Sequence, residues 1–319
     1  MTTDHNAFTA PHFSNAEAAR TWLEGQRWPD GPICSHCGTV NHAYGNKAKP
    51  GYFRCAEKEC RKDFTVTTGT LMERSHIALN KWLMAFYLMC ASKKGVSAHQ
   101  LHRALNIDYK SAWFMGHRIR EAMRDGNLAP MGGPEGSGIV EADETYFGEI
   151  KEARLSKQRQ GRPYKRQKHV GTKRAIVSLV ERGGKVRSYH VPTADAATVA
   201  GIVNANVARE SRLHTDESKL YAKVGAQFAA HETVNHSAKE YARGDVTTNS
   251  VEGYFSIFKR GMKGVYQHCD EKHLHRYLAE FDFRYNHRVA LGVSDIDRTK
   301  AAIHGVTGKR LTYHQVGRA

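Results

Sequence analysis

The sequence predicts an α/β protein with a mixed sheet in its second half, preceded by a small cysteine-bearing domain and a helical region of helix-turn-helix character. Three observations predict this. Four of the six cysteines crowd into residues 34–60, apolar side chains recur at helical spacing from Leu79 to Met123, and beyond a glycine-rich break strand-like runs alternate with helices. The 319 residues, 40% hydrophobic and 9% aromatic, suffice for about two cores and exclude a largely disordered chain.

From the N-terminus, Ser14-Asn15-Ala16-Glu17 has the pattern of a capping box and opens a short helix carrying Ala18, Trp22 and Leu23. The run Arg27-Trp28-Pro29-Asp30-Gly31 breaks it. Cys34-x2-Cys37 and Cys55-x4-Cys60 follow, two close thiolate pairs able to surround a structural Zn²⁺ tetrahedrally. Gly38 supplies the positive φ that the first knuckle needs, while Tyr52-Phe53-Arg54 and Arg61 to Val66 read as ribbon strands. The competing arrangements are two disulfides, which a reducing compartment disfavours, or a site in which His36 or His42 replaces one thiolate. Residues 1–68 form this domain; Cys90 and Cys269, standing alone, read as small buried residues.

Residues 69–125 are helical. Leu79 to Ala91 is one helix, Val96 to Ile107 a second, and Ser111 to Met123 a third, with Trp113, Met115 and Ile119 among His117, Arg118, Arg120 and Arg124. Short helices joined by a tight turn at Asn106-Ile107-Asp108-Tyr109, the second rich in cations, fit a DNA-reading helix-turn-helix; ordinary packed helices give the same pattern. The apolar run Trp82 to Ala91 is half the span of about 20 residues that a bilayer requires. No basic stretch leads into an apolar one at the N-terminus, so a cytoplasmic location is expected.

Glycines and prolines mark 126–138 as a linker. In 139–290, strands are expected at Ile139 to Tyr146, Ala175 to Val180, Val186 to Val191, Arg212 to Asp216 and Glu232 to Asn235, and helices at Ala194 to Val207, Lys219 to Ala229 and Ser250 to Met262. A tail, 291–319, completes the chain. Asp143 and Asp216 fall on strands and Glu252 near a helix start, where carboxylates gathered at one rim would hold hard divalent cations that activate water or a 3′-hydroxyl. Each acid alone would be an ordinary solvated side chain. Lys259, two helical turns after Glu252, lies on the same face and can reach a phosphate; Asn249 or Ser250 can cap the helix.

Lys and Arg number 48 against 32 Asp and Glu, a net charge of +16, which favours nucleic acid or an anionic membrane surface. The charge is concentrated. Residues 151–174 hold ten Lys or Arg and one acid, Glu152; Arg162, Lys165, Arg166 and Lys168 would track DNA phosphates, the alternative being a solvated loop.

Several blocks in order carry a resemblance: Val140 to Gly148, His214-Thr215-Asp216-Glu217, His231 to Ser237, Thr248 to Ser256 with Lys259-Arg260-Gly261, His273 to Tyr277, and Glu280 to Asn286. With the lead Arg27 to Gly31, they resemble the transposases named after insertion sequence fifteen-ninety-five, in which a zinc ribbon precedes a DDE catalytic domain. The resemblance spans about residues 14 to 290. It implies a ribonuclease H-like fold and a triad of Asp143, Asp216 and Glu252 using Mg²⁺ or Mn²⁺, with Asn249 a further candidate for the third position. Arg118 and Arg120 among the cations of the third helix, with Lys259 and Arg260, are expected to contact DNA. The expected assembly is a homo-oligomer that cleaves and joins double-stranded element ends and target without a membrane. The x4 second pair and Thr247, where histidine is common, depart from the family. A metal-dependent nuclease without strand transfer, or a zinc-dependent DNA-binding regulator with an inactive catalytic domain, are the alternatives.

Overall fold

The computed structural model describes residues 9–126, 128–133, 138–148 and 173–312. The chain divides into two compact units, Met1–Arg124 with Val293–Ala319, and Asp125–Gly292. Among the described residues no helix is long and apolar enough to cross a membrane.

The first unit opens with α1 (Pro11–Ser14) and α2 (Ala16–Arg27). Asn15, not Ser14, is the cap: its Oδ1 accepts from the backbone N–H groups of Glu17 and Ala18 at 2.8 and 2.9 Å, while Ser14 closes the preceding turn on Pro11. Three short antiparallel strands, β1 (Ala43–Gly45), β2 (Phe53–Cys55) and β3 (Asp63–Phe64), form the ribbon. Trp28 packs edge-on against Phe53 and Phe64 beneath it.

Helices α3 (Leu79–Ala91), α4 (Ala98–Leu105) and α5 (Tyr109–Ala122) follow. A Ser97/Gln100 capping box starts α4, Asn106 ends it in the left-handed region at φ 48°, and Asp108 caps α5 through the Ser111 N–H. Part of the expected tail is a helix, α10 (Asp295–His304), which packs on α3 with Ala302 and Ile303 buried. Arg298 of α10 donates to the Cys90 carbonyl at 2.9 Å, and that polar anchor gives no apolar signal in the sequence.

In the second unit a five-stranded mixed sheet has the order β6-β5-β4-β7-β8, formed by β4 (Ile139–Phe147), β5 (Arg174–Glu181), β6 (Val186–Val191), β7 (Arg212–Asp216) and β8 (Ala230–Val234). β4, β5 and β6 meander antiparallel, whereas β7 and β8 run parallel to β4. The period-two alternation of side chains sorts the residues between two cores. Ala175, Val177 and Leu179 of β5 join Val140 and Ala142 of β4 under α6 (Ala196–Asn206); Ile176 and Val180 face α8 (Asn249–Gly261) and α9 (Glu271–Asn286). Between β7 and β8 the expected helix Lys219 to Ala229 shrinks to α7 (Ala222–Gly225). A Cβ on Gly225 would meet the His231 ring at 2.2 Å, so only glycine fits at that approach.

β6 is an edge strand, and α9 covers it with side chains in place of a neighbouring strand. Asn286 both donates to the Val186 carbonyl (3.0 Å) and accepts from its N–H (2.7 Å), and Asp282 accepts from the Ser188 N–H at 2.8 Å. One helical turn matches two strand residues, so Asp282 and Asn286 fall in register with Ser188 and Val186. Before α8, the small hairpin of β9 (Ala242–Arg243) and β10 (Val246–Thr247) turns the chain back towards the sheet.

Candidate active site

Among the described residues one group of side chains stands at metal-binding distances: the Sγ atoms of Cys34, Cys37, Cys55 and Cys60 all lie within 4.8 Å of one another. Cys34 to Cys60 is 3.7 Å and Cys37 to Cys55 3.6 Å, close to the edge of about 3.8 Å of a tetrahedron with Zn–S bonds of about 2.3 Å. The four-thiolate set is the one assembled, and neither His36 nor His42 enters it.

The x4 spacing has a simple geometry. Gly38, just after Cys37, donates to the Cys34 carbonyl at φ 79°; Arg61, just after Cys60, donates to the Glu57 carbonyl at φ 50°. The second knuckle therefore repeats the first with Glu57 in the place of its first cysteine, and the ligand is supplied two residues earlier, from the end of β2. Thr39, through its hydroxyl and then its backbone N–H, draws the Cys37 thiol down to about 6, whereas burial pushes Cys55 up to about 12.

In the second unit the acids assemble on the face of the sheet that α8 covers. The register pairing Ile139 with Arg212 and Glu141 with His214, carried two residues further, sets Asp143 opposite Asp216 on the adjacent parallel strand. Both share a face with Glu141 and His214. Burial, then the charges of Glu144, Asp216 and Glu252, push the Asp143 carboxyl up to about 8. Asp216 accepts from the Ser218 N–H at 3.0 Å. Glu252 accepts the Thr248 hydroxyl at 3.0 Å, and its Oε1 lies 3.3 Å from Nε2 of His236. Oxygen donors with mutually repelling charges are a set that a hard divalent cation suits.

Lys259 is half-buried on α8; burial lowers its pKa, and the Asp143 charge acts in the opposite sense. Arg260 is exposed. Asn249 is exposed, with its own N–H on the Thr247 hydroxyl at 3.1 Å.

Neither Asn249 nor Ser250 caps α8. The Thr248 side chain at the cap position makes no cap bond, and the first-turn N–H groups of Ser250 and Val251 donate instead to Glu141 Oε2, at 2.7 and 3.1 Å. Of the cations expected to meet DNA in the helical region, Arg118 is half-buried with its guanidinium 4.5 Å from the Phe114 ring centre. Arg120 is 4% exposed, so the packing of α5 withdraws it from any ligand outside. Arg162, Lys165, Arg166 and Lys168 lie outside the described residues.

Comparison with known proteins decides the family. Residues 136–286 match the ISXO2-like transposase domain, and residues 14–63 the transposase zinc-ribbon domain. The chain belongs to this transposase family. A protein in transposable element ISH50 of Halobacterium salinarum is 28% identical to this transposase over 285 residues, covering 85% of this chain and 91% of that protein. A transposase-like protein of Haemophilus influenzae is 26% identical over 102 residues, 32% of this chain and 81% of its own. The Mos1 strand transfer complex aligns over 62% of this chain and 74% of its own, with 13% identity and a TM-score of 0.23.

The transposase has site neighbours that sequence reading missed. Tyr221, fully buried, donates to Glu144 Oε2 at 3.0 Å. Glu217, next to Asp216, accepts from the His236 and Ser237 N–H groups and from the Ser237 hydroxyl, which tethers the turn bearing His236 to the end of β7. His236 and Glu217 stood in the quoted blocks, but no spacing links residue 236 to residue 252.

Proposed function

We propose that this transposase cleaves and joins DNA strands at a site made by Asp143, Asp216 and Glu252 in a ribonuclease H-like domain. The observation that carries the reading is that Asp143 and Asp216 lie on adjacent parallel strands, with the charges of Asp216 and Glu252 both acting on Asp143. Glu252 rather than Asn249 takes the third position, because the charge of Glu252 acts on Asp143. Mg²⁺ or Mn²⁺ held by the three carboxylates would supply a nucleophile activated at neutral pH and charge stabilisation of the leaving oxygen. Lys259 holds a phosphate oxygen beside Asp143, and Arg260 an adjoining one.

DNA is gripped by the zinc ribbon and by α4 and α5 as a helix-turn-helix, where the N-terminal residues of the second helix address the groove. Exposed Tyr109 and Lys110 stand there, with Arg118 as a flanking phosphate contact. The basic segment 151–174 tracks the backbone near the cut. Pairing of two ends implies a homo-oligomer, and a four-thiolate site fits the reducing cytoplasm.

The test is strand transfer with cognate ends and Mg²⁺. Asp143→Ala and Asp216→Ala are expected to abolish cleavage and joining while DNA binding persists. If both variants still join strands, the assignment fails; cleavage without joining by the wild type identifies a nuclease.

A further inference from the structure

Glu141 lies on β4 two residues before Asp143, on the same face, and is fully buried. Burial of a carboxylate is tolerated only with a complete set of partners. Its Oε1 accepts from Arg182 Nε (3.2 Å), Arg182 Nη2 (2.9 Å) and the Ser250 hydroxyl (2.9 Å), and its Oε2 accepts from the Ser250 and Val251 N–H groups. Arg182 also donates to the carbonyls of Asp245 and Thr247 in the hairpin that leads into α8. One carboxylate thus ties strand β4 to the positive end of the helix that bears Glu252.

The arrangement has a second effect. Glu141 accepts the first-turn donors of Ser250 and Val251, and the Thr248 hydroxyl, which makes no cap bond, donates to Glu252. The strand that carries Asp143 therefore fixes the start of α8, and through Thr248 the carboxylate of Glu252.

We propose that Glu141 is a positioning residue of the carboxylate site, a side chain that touches no substrate but sets Glu252 at the distance from Asp143 at which both grip one cation set. The proposal rests on the reading of Asp143, Asp216 and Glu252 as a divalent-cation site.

The test uses the full-length, zinc-loaded chain, with Mn²⁺ binding read from the electron paramagnetic resonance of free Mn²⁺ and cleavage read on duplex ends. Asp143→Ala should abolish tight Mn²⁺ binding. Glu141→Gln should weaken it by about 10–100-fold, as loss of an outer-shell partner does, lowering kcat with KM for DNA unchanged. Excess Mn²⁺ should partly restore the rate, which mere loss of folded protein does not allow. Ser250→Ala removes one bond and leaves no unpaired charge, so it stays folded if Glu141→Gln does not, and it should weaken Mn²⁺ binding about threefold by loss of one hydrogen bond. If Asp143→Ala abolishes binding but Ser250→Ala and any folded Glu141→Gln bind Mn²⁺ as the wild type does, Glu141 has no positioning role. If Asp143→Ala itself binds Mn²⁺ normally, the cation-site reading fails and the proposal with it.

Discussion

The cysteine cluster draws its ligands from residues 34–60, on two turns of one small ribbon, whereas the carboxylate cluster draws Asp143, Asp216 and Glu252 from two strands and a helix. In the ribbon three ligands sit on the two knuckles and the fourth, Cys55, at the adjoining end of β2, and the sulfurs stand at metal-binding distance from one another. At the carboxylates, placement comes from the sheet register and from Glu141 bridging to α8, and burial with the neighbouring charges pushes the Asp143 carboxyl up. The first cluster is fold-making; the second is held against its own repulsion by a fold already made. That difference can be tested by removing each cluster's support in turn.

The largest effect is expected at the ribbon. Structural zinc contributes about 10 kcal/mol to folding of small thiolate sites, so a chelator or Cys55→Ser should unfold residues 14–63. Limited proteolysis with mass spectrometry should then show cuts in the ribbon while residues 173–292 stay protected. Protection of the ribbon without metal would mean that Trp28, Phe53 and Phe64 suffice to hold it.

The carboxylate cluster should respond in the opposite sense. The folded chain binds the Asp143 proton more tightly than the unfolded chain, so the stability attached to this group is full below about pH 4 and is lost as pH rises towards 8. Asp143→Asn, which cannot ionise, should therefore be more stable than the wild type at pH 8 in the zinc-loaded chain without added Mg²⁺. After discounting for partial solvation the gain is about 1–3 kcal/mol, read as a higher melting temperature. Mg²⁺ should stabilise the wild type and leave the variant unmoved. A variant less stable than the wild type at pH 8 would show that Asp143 is structural, like the cysteines.

The same contrast explains what sequence reading could see. The cysteine spacing, the helix Leu79–Ala91 and the apolar strand run Ala175 to Val180 are local patterns, and the structure keeps them. Nothing local marks Glu141 as the cap of a helix that starts at Asn249, because the bond spans 109 residues. Arg120 was read as a DNA contact from charge alone, and the packing of α5 overrides that. Helix α10 escaped because its anchor to the first unit is an arginine on a carbonyl rather than an apolar stripe.

A smaller effect separates the site from the core beside it. Asp282, buried and pushed up to about 7 by that burial, accepts from Tyr254 Oη and from the hydroxyl and N–H of Ser188. The stability attached to it is full below about pH 4 and falls as pH rises to about 7. In Asp282→Asn the amide oxygen can keep the Ser188 N–H while the two hydroxyls turn to accept from the amide nitrogen. The variant should flatten the pH dependence between 4 and 7 by about 1–2 kcal/mol, followed by thermal melts of the zinc-loaded chain, and added Mg²⁺ should act on it as on the wild type. An Mg²⁺ response lost in this variant would tie the core to the carboxylate site.

The smallest test lies within the ribbon, where Gly38 and Arg61 occupy equivalent knuckle positions. A Cβ on Gly38 meets nothing within 4 Å, so Gly38→Ala is opposed only by its left-handed backbone, which costs about 1–2 kcal/mol. Arg61 already bears that strain at φ 50°, so Arg61→Gly should relieve part of it, offset by the extra freedom glycine has in the unfolded chain, for a net gain below about 1 kcal/mol. Zinc affinity, measured by competition with a chromogenic chelator, should move with each change, because the metal holds only the folded knuckle. If Gly38→Ala binds zinc as tightly as the wild type, the first knuckle does not need its left-handed turn, and the equivalence between the two halves of the ribbon is one of backbone path alone.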